Sequence, residues 1–244
     1  MNKDLIKYLS VDCVVFGFDF DKLNVLLVDR VLENMEQGLI FSDMTLTGNH
    51  VYEDETMDAA AQRILFDLTG LKDVYLEQFK TFAHPDRLNK ENDRQWLISD
   101  KRNPEQRIVS VGFFALLATP KVTLEWKGRN VMWVPVAEVA ELAFDHNLIL
   151  QEALKAMRSK LLHEPIAFEL LPEKFTLSQL QKVYEIILDT TFDKRNFRKK
   201  VARMKYMVPL DEKQKDVSHK PARLYMFSRD IYERTRKELL NFIV

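Results

Sequence analysis

A chain of 244 residues with 46% hydrophobic and 30% charged residues can bury a core and stay in water, which excludes long disorder and collagen-like repeats. One cysteine, Cys13, excludes an internal disulfide framework and any multi-cysteine zinc site, and no apolar run approaches the ~20 residues that span a bilayer. The net charge is −1, yet residues 165–244 hold 17 Lys and Arg against 11 Asp and Glu, leaving 19 against 26 in residues 1–164; an acidic body with a basic C-terminal region points to a polyanionic partner.

Residues 11–18 and 23–30 are β-rich runs separated by Phe20-Asp21-Lys22, a hairpin signal. Thr45-Leu46-Thr47 predicts a short strand ending at Gly48. Over residues 56–68 the apolar positions Ala61, Ile64, Leu65 and Leu68 make a helical stripe, which Gly70 should end in the left-handed conformation. Residues 74–82 and 108–117 read as strands, and the charged, aperiodic residues 84–107 between them read as a loop insertion. A second hairpin is expected from 122–126 and 130–134 around Lys127-Gly128-Arg129. Pro135 suits the first position of a helix to about residue 142, and Asp145 suits the cap of a longer one to residue 162. His163-Glu164-Pro165 then divides the chain into domains at 1–164 and 165–244.

Beyond that point Thr176-Leu177-Ser178-Gln179 is a capping-box pattern before an amphipathic helix with Leu177, Leu180, Val183, Tyr184 and Ile187. Asp193 should cap a second helix whose apolar stripe is Phe197, Val201 and Met204, leaving a strongly basic outer face. The polar stretch 211–219 and the run 222–227 suggest the strands and tip of a wing, followed by a last helix from about Asp230 to the end. Two helices, a short turn and a wing make a winged helix-turn-helix pattern. Its candidate DNA contacts are Lys194, Arg195, Asn196, Arg198, Lys199 and Arg203 on and after the second helix, and Arg223 on the wing, residue types suited to phosphates and base edges.

Gly48-Asn49 through Glu55, followed by Arg63-Ile64-Leu65-Phe66-Asp67-Leu68-Thr69-Gly70-Leu71, resembles the Nudix box. Glu55, Arg63, Leu65, Gly70 and Leu71 fall at the family's places, while the second box glycine is Asn49. The family's magnesium carboxylates correspond to Ile64, Asp67 and Leu68, so two of three oxygen ligands are replaced by aliphatic chains. The resemblance implies a Nudix scaffold, with Glu55 and Arg63 bracing its loop to its helix, without catalytic residues, metal site or cofactor.

The whole chain resembles the Nudix-related transcription regulators of the NrtR and AraR type, through Ala143-Phe144-Asp145-His146, residues 175–180 and Pro221-Ala222-Arg223-Leu224-Tyr225. The fold class implied is α+β or α/β, a Nudix-like α/β/α sandwich followed by a winged helix-turn-helix domain. The function implied is that of a bacterial, cytoplasmic, homodimeric regulator, not an enzyme and with no membrane partner. Such a regulator binds a double-stranded operator and responds to a small effector, a sugar or an ADP-ribose-like compound, in the Nudix pocket. Candidate effector-binding groups are Arg30, Thr47, Asn49, Asp86, Arg87, Arg107 and the Asp145-His146 pair; arginine could clamp a phosphate, and Asp or Asn could hold sugar hydroxyls. Two other readings compete: a divergent hydrolase of ADP-ribose or a nucleotide sugar, using Asp67 with Glu53 or Asp54, and an interaction module whose basic tail binds RNA or an acidic protein.

Overall fold

The computed structural model describes residues 5–34, 38–70, 72, 74–118, 130–215, 218 and 220–235. The expected strand at 122–126, its turn at 127–129 and the chain after 235 lie outside the described residues. The chain forms two compact units, one of Met1–Gly17 with Asn24–Ala156 and the other of Phe18–Leu23 with Met157–Val244.

The first unit is built on a seven-stranded sheet of β1 (Leu5–Phe18), β2 (Leu23–Asn34), β3 (Gly38–Thr45), β4 (Thr47–Tyr52), β5 (Tyr75–Phe82), β6 (Val109–Ala118) and β7 (Val131–Pro135). Its spatial order is β3-β2-β1-β6-β5, with β4 also on β1 and β7 also on β2. The β1–β2 turn is closed by Asp19, whose Oδ1 accepts the Asp21 and Lys22 amides at 2.9 and 2.8 Å. Alternate residues of the central strands make one core face: Val11, Cys13 and Val15 of β1 pack with Val111, Phe113 and Ala115 of β6. Helix α1 (Met57–Thr69) lays Ala60, Ala61, Ile64 and Leu65 into that cluster. The neighbouring residues Val14, Phe16 and Phe114 are also buried, so both faces of these strands are covered. The Thr56 hydroxyl accepts the Ala59 amide at the start of α1, and Gly70 ends it at φ 67°, where a side chain would be strained.

Four local expectations are corrected. Gly48 does not end a strand; it lies inside β4, and β3 precedes it over Gly38–Thr45, a register set by pairing with β2. The supposed loop 84–107 contains α2 (Glu91–Ser99), whose buried positions are Asp93 and Leu97. Pro135 closes β7, and only a 3-10 turn, Val136–Glu138, follows it, because the β2–β7 ladder runs up to Pro135. Helix α3 (His146–His163) starts after Asp145, whose carbonyl, not its carboxylate, receives the first helical amides, from Leu148 and Ile149.

The second unit holds a 3-10 segment Ile166–Leu170, α4 (Leu177–Leu188), α5 (Lys194–Val201), the hairpin β8 (Met207–Lys213) with β9 (Arg223–Phe227), and α6 (Arg229–Thr235). The capping box forms: the Thr176 hydroxyl accepts the Gln179 amide, and the Gln179 side chain accepts the Thr176 amide at 2.8 Å. The turn between the helices is fixed from α4. Gln181 Nε2 donates to the Phe192 carbonyl at 2.9 Å, Glu185 Oε1 accepts the Phe192 amide at 2.9 Å, and Asp189 takes the left-handed conformation at φ 52°. Phe168, Phe175, Tyr206, Phe227 and Tyr232 form an aromatic core, with Phe168 stacked on Phe227 at 4.4 Å. Burial among these rings pushes the Tyr206 hydroxyl well above the usual tyrosine value.

Candidate functional site

A cavity of about 350 Å³ opens in the first unit. Its walls come from Ser10 and Asp12 of β1, Val28 and Arg30 of β2, the β3–β4 stretch 45–50, Ile64 and Asp67 of α1, and Trp96 and Leu97 of α2. Arg87, Leu88, Asp100, Arg102, Ile108, Ser110, Phe144 and His146 complete the lining. Of the effector-binding residues expected from sequence, Arg30, Thr47, Asn49, Arg87 and His146 line this cavity, whereas Asp86, Arg107 and Asp145 do not. Asp86 is exposed, and the exposed Arg107 is turned onto the Ala83 carbonyl through Nε at 3.0 Å and Nη2 at 2.5 Å.

The three cavity arginines are not phosphate clamps, because carboxylates already hold them; Arg102 Nε lies 2.8 Å from Asp100 Oδ2. Arg30, 1% exposed, binds Asp43 through Nε at 2.7 Å and Nη2 at 2.5 Å, and its Nη2 lies 2.8 Å from the fully buried Asp93. Its guanidinium carbon sits 4.6, 5.2 and 5.6 Å from the ring centroids of Phe144, Phe41 and Trp96. Its Nη1 is the one buried side-chain polar atom without a hydrogen-bond acceptor among the described residues. Arg87 donates to Asp145 through Nε at 3.0 Å and Nη2 at 2.7 Å, and through Nη1 to the carbonyls of Phe82 and Ile108. Asp145 therefore serves the cavity from behind, by fixing Arg87.

Sequence reasoning passed over Asp12, Asp93, Trp96, Asp100 and Arg102. Asp12 had a signal: it is an acid between Val11 and Cys13 in a strand buried on both faces. Its carboxylate stands against Gly48, where an added Cβ would meet Asp12 Oδ1 at 2.2 Å, so this glycine makes room for the acid. Thr47 donates its hydroxyl to the Cys13 carbonyl at 2.8 Å, which makes it a brace between β4 and β1.

His146 opens α3 inside the cavity wall. The Leu46 amide donates to its Nδ1 at 3.0 Å, and the Thr45 hydroxyl lies 2.9 Å from the same nitrogen. A bare Nδ1 puts the ring proton on Nε2, which lies 3.8 Å from Asp12 Oδ1. Burial holds this imidazole below the usual histidine value, against the raising effect of the Asp12 and Asp145 carboxylates. Burial, then the Arg102 charge, lowers His50 in the same way. Both histidines are thus neutral when folded and take up a proton more readily when unfolded. Their contribution to stability is complete above about pH 6.5 and is lost as pH falls below it, at up to about 1.4 kcal/mol per pH unit for each. Urea unfolding at pH 7.5 and 5.5 should show this slope, and His146→Gln should flatten it; equal slopes in the two proteins would contradict the assignment.

The Nudix-box positions keep their brace. Arg63 donates to Glu55 through Nε at 2.9 Å and Nη2 at 2.6 Å and to the His50 carbonyl at 2.9 Å, while Glu55 accepts the Tyr52 amide at 2.8 Å. They do not fit magnesium. Ile64 sits in the apolar cluster, Asp67 alone of the three expected ligands is acidic, and no group of three or more His, Cys, Asp or Glu suited to a metal occurs among the described residues.

In the second unit α5 anchors itself through buried Phe197 and Val201 and exposes Lys194, Arg195, Asn196, Arg198, Lys199 and Lys200. Arg203, just past it, is exposed too. Arg223 differs: it is spent within the wing, donating to the Leu210 carbonyl at 2.7 Å and to Asp211 Oδ1 at 3.2 Å.

Residues 7–156 match the NUDIX domain family and residues 167–227 the NrtR DNA-binding winged helix domain. The chain is 28% identical over 239 residues to the ADPR responsive transcriptional repressor NtrR of Acinetobacter baylyi, covering 96% of this chain and 87% of that protein. It is similar to Shewanella oneidensis NrtR complexed with a 27mer DNA, with TM-score 0.73, 26% identity and coverage of 92% of this chain and 95% of that one. For a second crystal structure of Shewanella oneidensis NrtR the values are 0.71, 27%, 91% and 95%.

Proposed function

The chain belongs to the NUDIX domain family and carries an NrtR DNA-binding winged helix domain, and on that premise we propose that it is a transcriptional regulator with effector sensing in residues 1–164 and operator binding in residues 165–244. The observation that carries this reading is α5, a short helix anchored by Phe197 and Val201 that turns its basic residues and Asn196 to solvent between a hydrogen-bonded turn and a β-hairpin. The ADPR responsive relative supports an ADP-ribose-like effector, and the Asp12, Asp67 and Asp100 carboxylates in the cavity wall, which can accept from hydroxyl groups, support a sugar. The regulator acts as a homodimer on a palindromic site. It does not hydrolyse its effector, since Ile64 is committed to the core where the hydrolases carry a metal carboxylate.

One experiment tests these points together. Incubated with ADP-ribose and Mg²⁺, the full chain should leave the compound intact. ADP-ribose, a pentose or a hexose should change its affinity for the promoter fragments that flank its gene by about 5- to 150-fold. Turnover near ~1 s⁻¹, at the low end of typical enzymes, would show a hydrolase. DNA affinity indifferent to all of these compounds would remove the sensor.

A further inference from the structure

We propose that the floor of the cavity binds its effector through a neutral vicinal diol, whose two hydroxyl groups donate to the Asp12 carboxylate. This rests on the reading of the cavity as the effector site. The charges decide against an anion here. The three cavity arginines, Arg30, Arg87 and Arg102, face five carboxylates, Asp43, Asp93, Asp145, Asp12 and Asp100, all within 4 Å of one or another guanidinium. The floor is therefore net negative, and a phosphate would be repelled from it.

Asp12 is 6% exposed and lines the cavity. Arg87 Nη2 at 3.7 Å and His146 Nε2 at 3.8 Å both stand beyond hydrogen-bond distance of its oxygens. A carboxylate offers about four acceptor positions, enough for two adjacent hydroxyls. A hydroxyl group also suits the gap because it donates and accepts at once: it can give its proton to Asp12 and receive one from His146 Nε2 or Arg87. A phosphate or carboxylate oxygen only accepts, and finds a like charge instead. Two sources carry the required diol, a free pentose or hexose and the ribosyl group of ADP-ribose. In the second case the diphosphate would lie away from the floor.

The test is calorimetric titration of the full chain with L-arabinose, D-ribose and ADP-ribose, each beside a counterpart lacking a 2-hydroxyl, and repeated on Asp12→Asn. A compound that binds should lose about 10- to 100-fold in affinity when the hydroxyl is removed, and a similar factor on Asp12→Asn, as expected for hydrogen bonds to a charged group. Binding of a free sugar identifies that source, and binding of ADP-ribose alone identifies the ribosyl group. Tighter binding to Asp12→Asn would place an anion at the floor and overturn the proposal, as would full affinity for the deoxy compounds. Circular dichroism reports whether Asp12→Asn folds; if it does not, the deoxy comparison on the unaltered chain decides. Failure of every compound to bind the unaltered chain would overturn the effector-site reading itself, an outcome distinct from unchanged binding by the variant.

Discussion

Reversing the charge of Arg195 or Lys199 to Glu is expected to weaken binding to the flanking promoter fragments by about 10- to 100-fold each, more at low salt than at high. Each reversal removes a cation from the exposed face of α5 and adds a charge that phosphates repel. Because neutralised phosphates release counterions, a protein making ~6–10 phosphate contacts loses about 10³- to 10⁵-fold in affinity between 50 and 200 mM salt, and losing one contact lowers the slope by about 1. The fold should tolerate the changes, since both residues are exposed and the helix is held by Phe197 and Val201. Lys199 lies in the last turn of α5, so Lys199→Glu also loses a favourable dipole contact, a cost of about 0.3–1 kcal/mol. Arg223→Ala should leave the salt slope nearly unchanged, because that guanidinium is spent on Leu210 and Asp211. Fluorescence anisotropy across a salt series measures all three; α5 reversals that bind as the unaltered chain does would refute the assignment.

The largest effect on stability is expected at the buried pair of Arg30 and Asp93. Asp93 has no exposed surface, faces Arg30 Nη2 at 2.8 Å and accepts the Phe144 amide through both oxygens at 3.1 Å. Replacing Arg30 by Met leaves that carboxylate buried without its countercharge, and breaking such a pair from one side costs about 3–5 kcal/mol. That is a large share of the ~5–15 kcal/mol that keeps a typical domain folded. Removing both charges, as in Arg30→Met with Asp93→Leu, should recover much of the loss, because Asp43 keeps 20% of its side chain in solvent. Urea unfolding of the single and double variants measures the difference. A single variant as stable as the unaltered chain would mean that the pair holds nothing together.

The pair also explains why α2 was invisible in the sequence. A helix is legible when its buried face is apolar and repeats at the helical period. The buried face of α2 is Asp93 and Leu97, and half of that face is a charge stabilised by an arginine more than sixty residues earlier in the chain. No local pattern encodes such a partner. The same holds for β3 and β4: their limits follow from which residues of β2 and β1 they pair with, not from their own composition. Pro135 read as a helix start because its fixed φ suits one, and pairing with β2 took it for the sheet instead.

By itself, the sequence determined what depends on near neighbours. The cap and glycine stop of α1, the capping box of α4, the basic outer face of α5 and the loss of two metal carboxylates are all matters of residue type at short spacing, and the fold and family could be inferred from them. Tertiary structure alone decided which polar groups share the cavity and what each still has to offer. Arg30, Arg87 and Asp145 read as free ligand-binding groups in the sequence, but folding pairs them with one another or with Asp43 and Asp93 and satisfies most of their hydrogen bonds. Asp12 read as an ordinary strand residue, yet burial beside Gly48 leaves its oxygens facing the cavity with donors just out of reach. The reason is one of distance: a charge is neutralised by whatever lies within about 4 Å of it, and for these residues that means partners 13 to 134 positions away along the chain.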